Sequence, residues 1–501
     1  MSRLRTLDDV AAAARREWCE ASVVERWLGV GIFAFAIAVR LAVLDQPMRY
    51  DETWMYLTHA SQSFATVIGD YSFPNNHVFH TLLVWLSTRA LGNAPWVIRL
   101  PTLMAGTLIV PATYFVARRL ATPRAGLFAA ALAAGLPILI LYATNARGYV
   151  IICLASLLLL LVGDWLLTND APAWWIAFAI IVAIGAFTVP IMLYSAGGVG
   201  LWMLAEKARR DGVRSIPRFA GRLIAAMALA GLLTLAAYGL IIARSGIAPL
   251  VSNRFVTPLA WDQFVQSLPD FVRSLRDVLG LGIPRALALL LAAAVVASLV
   301  VKGPHRASRV ALVVSIGVWS VVVLVATRRP PPPRVWLFTV PFACVFAGAG
   351  LAEIAAILSR GSVARARVLA AAGVLLLTAA LGVQTLQRHV VIDSEETDYY
   401  GLREAPDIAR FLLPQLHPGD HVVAARTTGL PLDYYLLQLG GKRLAEFDSG
   451  LLRGRVFVIV NERHGQTIAN LRDRRSDVPW NDVPALVSLR KFEGATVYQS
   501  P

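Results

Sequence analysis

Residues 41–60 read LAVLDQPMRYDETWMYLTHA. They close an almost wholly apolar run, 28–44, long enough to cross a bilayer as a helix that satisfies its own backbone. Within a few residues follow Asp45, then Arg49-Tyr50-Asp51-Glu52, then Trp54 and Tyr56. The reading turns on why a chain leaving the bilayer sets two adjacent carboxylates among aromatic rings.

The rest of the chain fixes the solvent. Of its 501 residues 57% are apolar and 16% charged, whereas soluble domains carry roughly 25% charged residues. Apolar runs recur at 27–44, 96–117, 125–143, 150–168, 173–190, 191–205, 223–243, 283–301, 309–326, 335–357 and 367–386. These predict a polytopic α-helical membrane protein of about eleven spans. The shorter run 77–91 begins with histidine and ends near Arg89, and reads as a helix lying at the interface. The first 26 residues are polar, so the first apolar run is expected to be a retained anchor rather than a removed signal.

Charge distribution orients the chain. The net charge is +15, which in a soluble protein would suggest nucleic acid. Residues 388–501 hold 14 Lys+Arg against 15 Asp+Glu, so the surplus belongs to the membrane half. The basic loops at 118–124, 206–222, 302–309 and 360–367 all fall on one side if the N-terminus is cytoplasmic, as the positive-inside rule requires. The expected organisation is a cytoplasmic segment 1–26, a membrane domain 27–387 with external segments 45–95 and 245–282, and a periplasmic α/β domain 388–501. In that tail, GDHVVAA, RVFVIVN and ATVYQ read as strands, and APDIARFLLPQL and PLDYYLLQLG as helices. Cys19, Cys153 and Cys344 show no metal or disulfide spacing.

Asp51 and Glu52 are the first candidates for chemistry. Acids at a membrane exit are commonly just solvated. Here they sit among aromatics, in an external segment with its own apolar helix. An Asp ionised at neutral pH can take a proton from an attacking nucleophile. Asn76 can cap the helix that follows it, and His77 and His80, one turn apart, can share a face. Two histidines alone are a weak metal signal.

The ordered motifs RYDETWMY, PNNH, RLP, NARGY (145–149) and PPPRVWLFTVPFACVFAGAG (331–350 region) resemble the membrane glycosyltransferases of the GT-C fold. They are most similar to the bacterial branch of protein O-mannosyltransferases and the lipid A aminoarabinose transferase. The likeness spans most of 27–386 and is weak in the tail. It implies a bacterial inner-membrane enzyme, with a polyprenyl-phosphate-linked sugar as donor, a cell-envelope acceptor, transfer outside the cytoplasm and inversion at the anomeric carbon. Carried over residue by residue, it makes Asp51 the base with Glu52 beside it. It assigns Arg147, Tyr149, Arg328, Arg329 and Arg334 to the donor phosphate and sugar, with Asn76, His77 and His80 as further polar contacts. It fixes no cofactor and leaves a divalent metal open, since some GT-C enzymes bind one. The relatives often carry Arg-Tyr before the late span, where this chain has Arg334-Val335. A lipid-linked-sugar flippase and a non-catalytic scaffold of the same fold are the rival readings; the absence of repeated halves weighs against the first.

Four further residues stand out in the sequence. Arg40 is a lone charge within the first span. Arg254 and the stretch from Trp261 and Asp262 onward predict an amphipathic helix at the interface, or a lid.

Overall fold

The computed structural model describes residues 15, 19, 21–71, 75–251, 257–303, 305–387, 401–446, 454–483 and 485–500. Phe73, Pro74 and Arg254 lie outside them. The chain divides into two compact units. One comprises 1–43, 68–80 and 101–391; the other comprises 44–67, 81–100 and 392–501.

Helix is the only regular structure among the first unit's described residues, and each of the eleven apolar runs forms helix. Six helices are long and apolar enough to cross a membrane: Leu100–Leu120, Tyr149–Thr168, Val213–Ala237, Arg306–Thr327, Pro333–Leu358 and Val363–Thr385. The pair Pro123–Gly135 and Pro137–Ala143, bent by 61°, makes a seventh if it is one span. Pro172–Thr188 and Arg285–Val300 are shorter. Val23–Ala42 carries Glu25, Arg26 and Arg40, and Met192–Asp211 ends in a charged turn. Length and composition thus single out six or seven crossings among the described residues, against the eleven expected.

The bend has a covalent cause. Pro137 has no N–H, so the carbonyl of Ala133 lacks its helical donor. Arg40, fully buried, donates to Ala133 O at 3.1 Å and to Ala134 O and Ala36 O, both at 3.0 Å. The lone charge of the first span therefore replaces a backbone bond. Thr339–Leu358 packs closely on its neighbours because it is glycine-rich: a Cβ at Gly348 would come within 2.6 Å of Ala125 O. The helix Trp261–Leu279 buries Phe264 and Val278 and exposes Trp261, Val265 and Val272, as an interfacial helix does.

The second unit holds a four-stranded sheet in the order β1-β2-β4-β3. β1 (His421–Ala424) runs parallel to β2 (Val456–Val460); β4 (Thr496–Gln499) is antiparallel to β2 and to β3 (Val487–Lys491). Val423, Val456, Val458, Val460, Leu471, Val478 and Val483 form its core. The helix Arg426–Gly440 follows β1. The same unit contains the short helix Tyr50–Met55, which runs into a π-helical turn, Tyr56–Ala60.

Candidate active site

In the second unit, Asp51 and Glu52 occupy the first turn of Tyr50–Met55 and have different fates. Asp51 is half-buried, whereas Glu52 is fully buried. Adjacent helical positions point about 100° apart, so one carboxylate can face outward while the next faces the core. Tyr50 and Trp54 pair edge to face, with centroids 5.6 Å apart. The π-turn that follows is a feature often found at functional sites.

Glu52 is bound by Arg99, the arginine of the RLP motif, to which the sequence reading assigned no role. Arg99 Nε and one terminal nitrogen donate to the two carboxylate oxygens at 2.8 and 2.7 Å. Its remaining donors reach the carbonyls of Leu44 and Gln46, both at 2.6 Å, and of Pro47 at 3.1 Å. All five guanidinium N–H groups are used. Glu52 also accepts from the Arg49 N–H at 3.0 Å, capping its own helix. Burial pulls the Arg99 pKa down, but the Glu52 charge and hydrogen bonds outweigh it and the net shift is upward. The pair stays ionised and fixes the loop 44–52.

The first unit gathers several of the expected donor-binding residues around one hydroxyl. Tyr149 opens the helix Tyr149–Thr168. Its hydroxyl accepts from Arg334 Nε at 3.2 Å, and Arg147 lies over its ring at 5.4 Å. His77 and Tyr142 meet the same ring edge to face, with centroids 5.0 and 5.6 Å away. His77 Nδ1 accepts the Gly148 N–H at 2.8 Å, which locks the turn carrying Arg147. Burial lowers Arg147 to about 10, so it remains a cation at neutral pH. Two cations sharing one phenol make a site that favours an anion.

The other expected residues are placed differently. Arg328 ends the helix Arg306–Thr327 in a left-handed conformation, φ 49°, and lies over the Trp261 ring at 5.4 Å. Arg329, half-buried, follows it, and Pro332 is extended at φ −51° and ψ 147°. Asn76 donates to the Asp70 carbonyl at 2.7 Å. His80 is fully buried with neither ring nitrogen hydrogen-bonded. Burial holds His77 and His80 near 3, with repulsion from His80 and Arg334 adding to the shift of His77. Both are neutral imidazoles at physiological pH. Among the described residues, no group of three or more His, Cys, Asp or Glu side chains is placed to hold a metal ion.

Residues 76–235 match the family model of the dolichyl-phosphate-mannose-protein mannosyltransferases. No curated protein matches the sequence. Among solved structures, ArnT from Cupriavidus metallidurans in its apo state superposes over 95% of this chain and 98% of its own, with TM-score 0.59 and 14% identity. ArnT bound to undecaprenyl phosphate superposes with TM-score 0.58 over 94% and 97%, again at 14% identity. The chain shares the GT-C fold of ArnT. That fold places a helical membrane body and a small C-terminal sheet in one chain, as the sequence reading expected.

Proposed function

We propose that the chain is an inverting glycosyltransferase, taking a sugar from a polyprenyl-phosphate donor and passing it to a hydroxyl of a cell-envelope acceptor outside the cytoplasm. The observation that carries this reading is the pair of cations that meet at Tyr149, Arg147 over its ring and Arg334 donating to its hydroxyl. A forked guanidinium matches phosphate oxygens. ArnT, which shares the fold, has been seen with undecaprenyl phosphate, and the family matched over 76–235 is named for a dolichyl-phosphate sugar. Both support a polyprenyl phosphate as the leaving group.

In this mechanism Asp51 accepts the acceptor's hydroxyl proton as its oxygen attacks the anomeric carbon. The new C–O bond forms as the bond to phosphate oxygen breaks, and the electron pair leaves with the polyprenyl phosphate. Arg147 and Arg334 neutralise the charge that develops there. One carboxylate suffices, because a double displacement would need a second as nucleophile. Glu52 cannot take that part while it is clasped by Arg99; its role is to hold Asp51's helix.

The test is the lipid-linked-sugar pool and the envelope glycans of cells with and without the gene. Loss of one sugar from a glycan, with its lipid-linked form accumulating, supports the reading. Unchanged glycans with a lipid-linked sugar trapped on one leaflet would indicate a flippase instead.

A further inference from the structure

The segment carrying Asp51 is held by the C-terminal tail, through one helix. Arg426–Gly440 contributes Tyr434 and Tyr435 from adjacent positions, both buried. The Tyr435 hydroxyl accepts the Met48 N–H at 3.0 Å. The Tyr434 hydroxyl donates to the Asn93 carbonyl at 2.6 Å, and its ring meets Tyr56 edge to face at 5.7 Å. At the start of the same helix, the exposed Arg426 lies over the Trp54 ring at 5.5 Å. These contacts fall three residues before Asp51, and three and five residues after it.

Asp51 itself is half-buried, on the helix that these contacts flank. A buried N–H left without an acceptor carries its full desolvation penalty, so the Met48 amide fixes the entry to Asp51's helix as long as Tyr435 is there. Trp54 and Tyr56 fix its exit. We infer that Arg426–Gly440 is a second positioning element for the base beside the Arg99–Glu52 pair, with Tyr435 as its positioning residue, so that the tail sets the rate of the chemical step rather than donor affinity. This rests on the assignment of Asp51 as base.

The experiment uses the full-length protein in detergent. Tyr435→Phe removes only the hydroxyl. Trp480→Phe is the control: its indole N–H donates to the Arg475 carbonyl at 2.8 Å within the tail's own core, away from the loop. Three readouts are compared: hydrogen exchange of the peptide 44–56, affinity for undecaprenyl phosphate, and the single-turnover rate of polyprenyl phosphate release from lipid-linked sugars extracted from the source membranes. Tyr435→Phe is expected to speed exchange in 44–56, leave affinity unchanged and slow release about 10- to 100-fold, the scale of a misplaced catalytic group. Trp480→Phe should leave exchange in 44–56, affinity and release unchanged. An unchanged release rate in Tyr435→Phe, or an equal loss in Trp480→Phe, overturns the positioning role. Asp51→Asn, run beside them, separates the two assignments: if it stays active the base is wrong, whatever Tyr435 does.

Discussion

Arg99 and Glu52 form a bidentate ion pair with both side chains fully buried, across 47 residues of sequence. Neither charge reaches water, so each depends on the other and on the carbonyls that complete the guanidinium's bonds. Removing one partner of a buried pair costs about 3–5 kcal/mol. Glu52→Gln and Arg99→Lys should therefore both lower the unfolding temperature markedly, the second because lysine keeps the charge but loses the fork. Thermal unfolding in detergent checks this. Wild-type stability in both variants would show that the pair does not hold the loop.

The cations on Tyr149 predict a graded loss. Charge-assisted hydrogen bonds contribute about 1.5–3 kcal/mol, so Arg147→Ala or Arg334→Ala should weaken undecaprenyl phosphate binding roughly 10- to 100-fold. Lysine at either position should cost less. Tyr149→Phe removes a neutral partner and should weaken binding by less than about tenfold. Arg328→Ala, at the helix end over Trp261, should leave affinity unchanged. Titration of the lipid phosphate against the purified variants decides it; equal affinity in all of them removes the phosphate assignment.

Acid should destabilise the protein through the buried histidines. The folded pKa of His77 and of His80 is about 3, below the ordinary value of about 6.5. The unfolded chain therefore binds more protons than the folded one across that interval. Stability is complete above pH 6.5 and falls as pH drops towards 3, by about 1.4 kcal/mol per pH unit for each histidine. His80, with no hydrogen-bond partner, can be replaced by an apolar side chain. His80→Leu should lose less unfolding temperature than wild type between pH 6.5 and 5. A parallel decline in the two proteins would show that His80 does not titrate on unfolding.

Orientation is open to direct labelling. Single cysteines at His464 should react with an impermeant thiol reagent in intact spheroplasts, and those at Arg210 and Arg365 should not. Labelling at 210 but not at 464 would reverse the topology and move Asp51 to the cytoplasmic side.

The sequence shows what is periodic or local and hides what is distant. Apolar runs announced the long apolar helices of the membrane unit, and amphipathic periodicity announced Trp261–Leu279. The break at Gly135–Pro137 was visible as residues, yet the run 125–143 read as one straight span because its apolar character continues through the proline. β1, β2 and β4 were legible as short apolar stretches between turn residues. β3 was not: every residue from Val487 to Lys491 is exposed, so it carries no buried face to mark it. Asp51 and the cations were legible through a resemblance. Their partners were not, because nothing in spacing joins Arg99 to Glu52 or Arg334 to Tyr149, 185 residues apart. That last contact gives Arg334 a phenol hydroxyl from another helix, where related enzymes often carry tyrosine as the next residue.

The central claim is that Asp51 takes the acceptor's proton during sugar transfer. Purified wild-type protein and Asp51→Asn should be given the lipid-linked sugars and the acceptor fraction of the source envelope, and release of polyprenyl phosphate followed. Losing a general base costs about 10²–10⁴-fold, so the variant should bind undecaprenyl phosphate as tightly as wild type and release product slower by that factor. Release at the wild-type rate by Asp51→Asn would contradict the account.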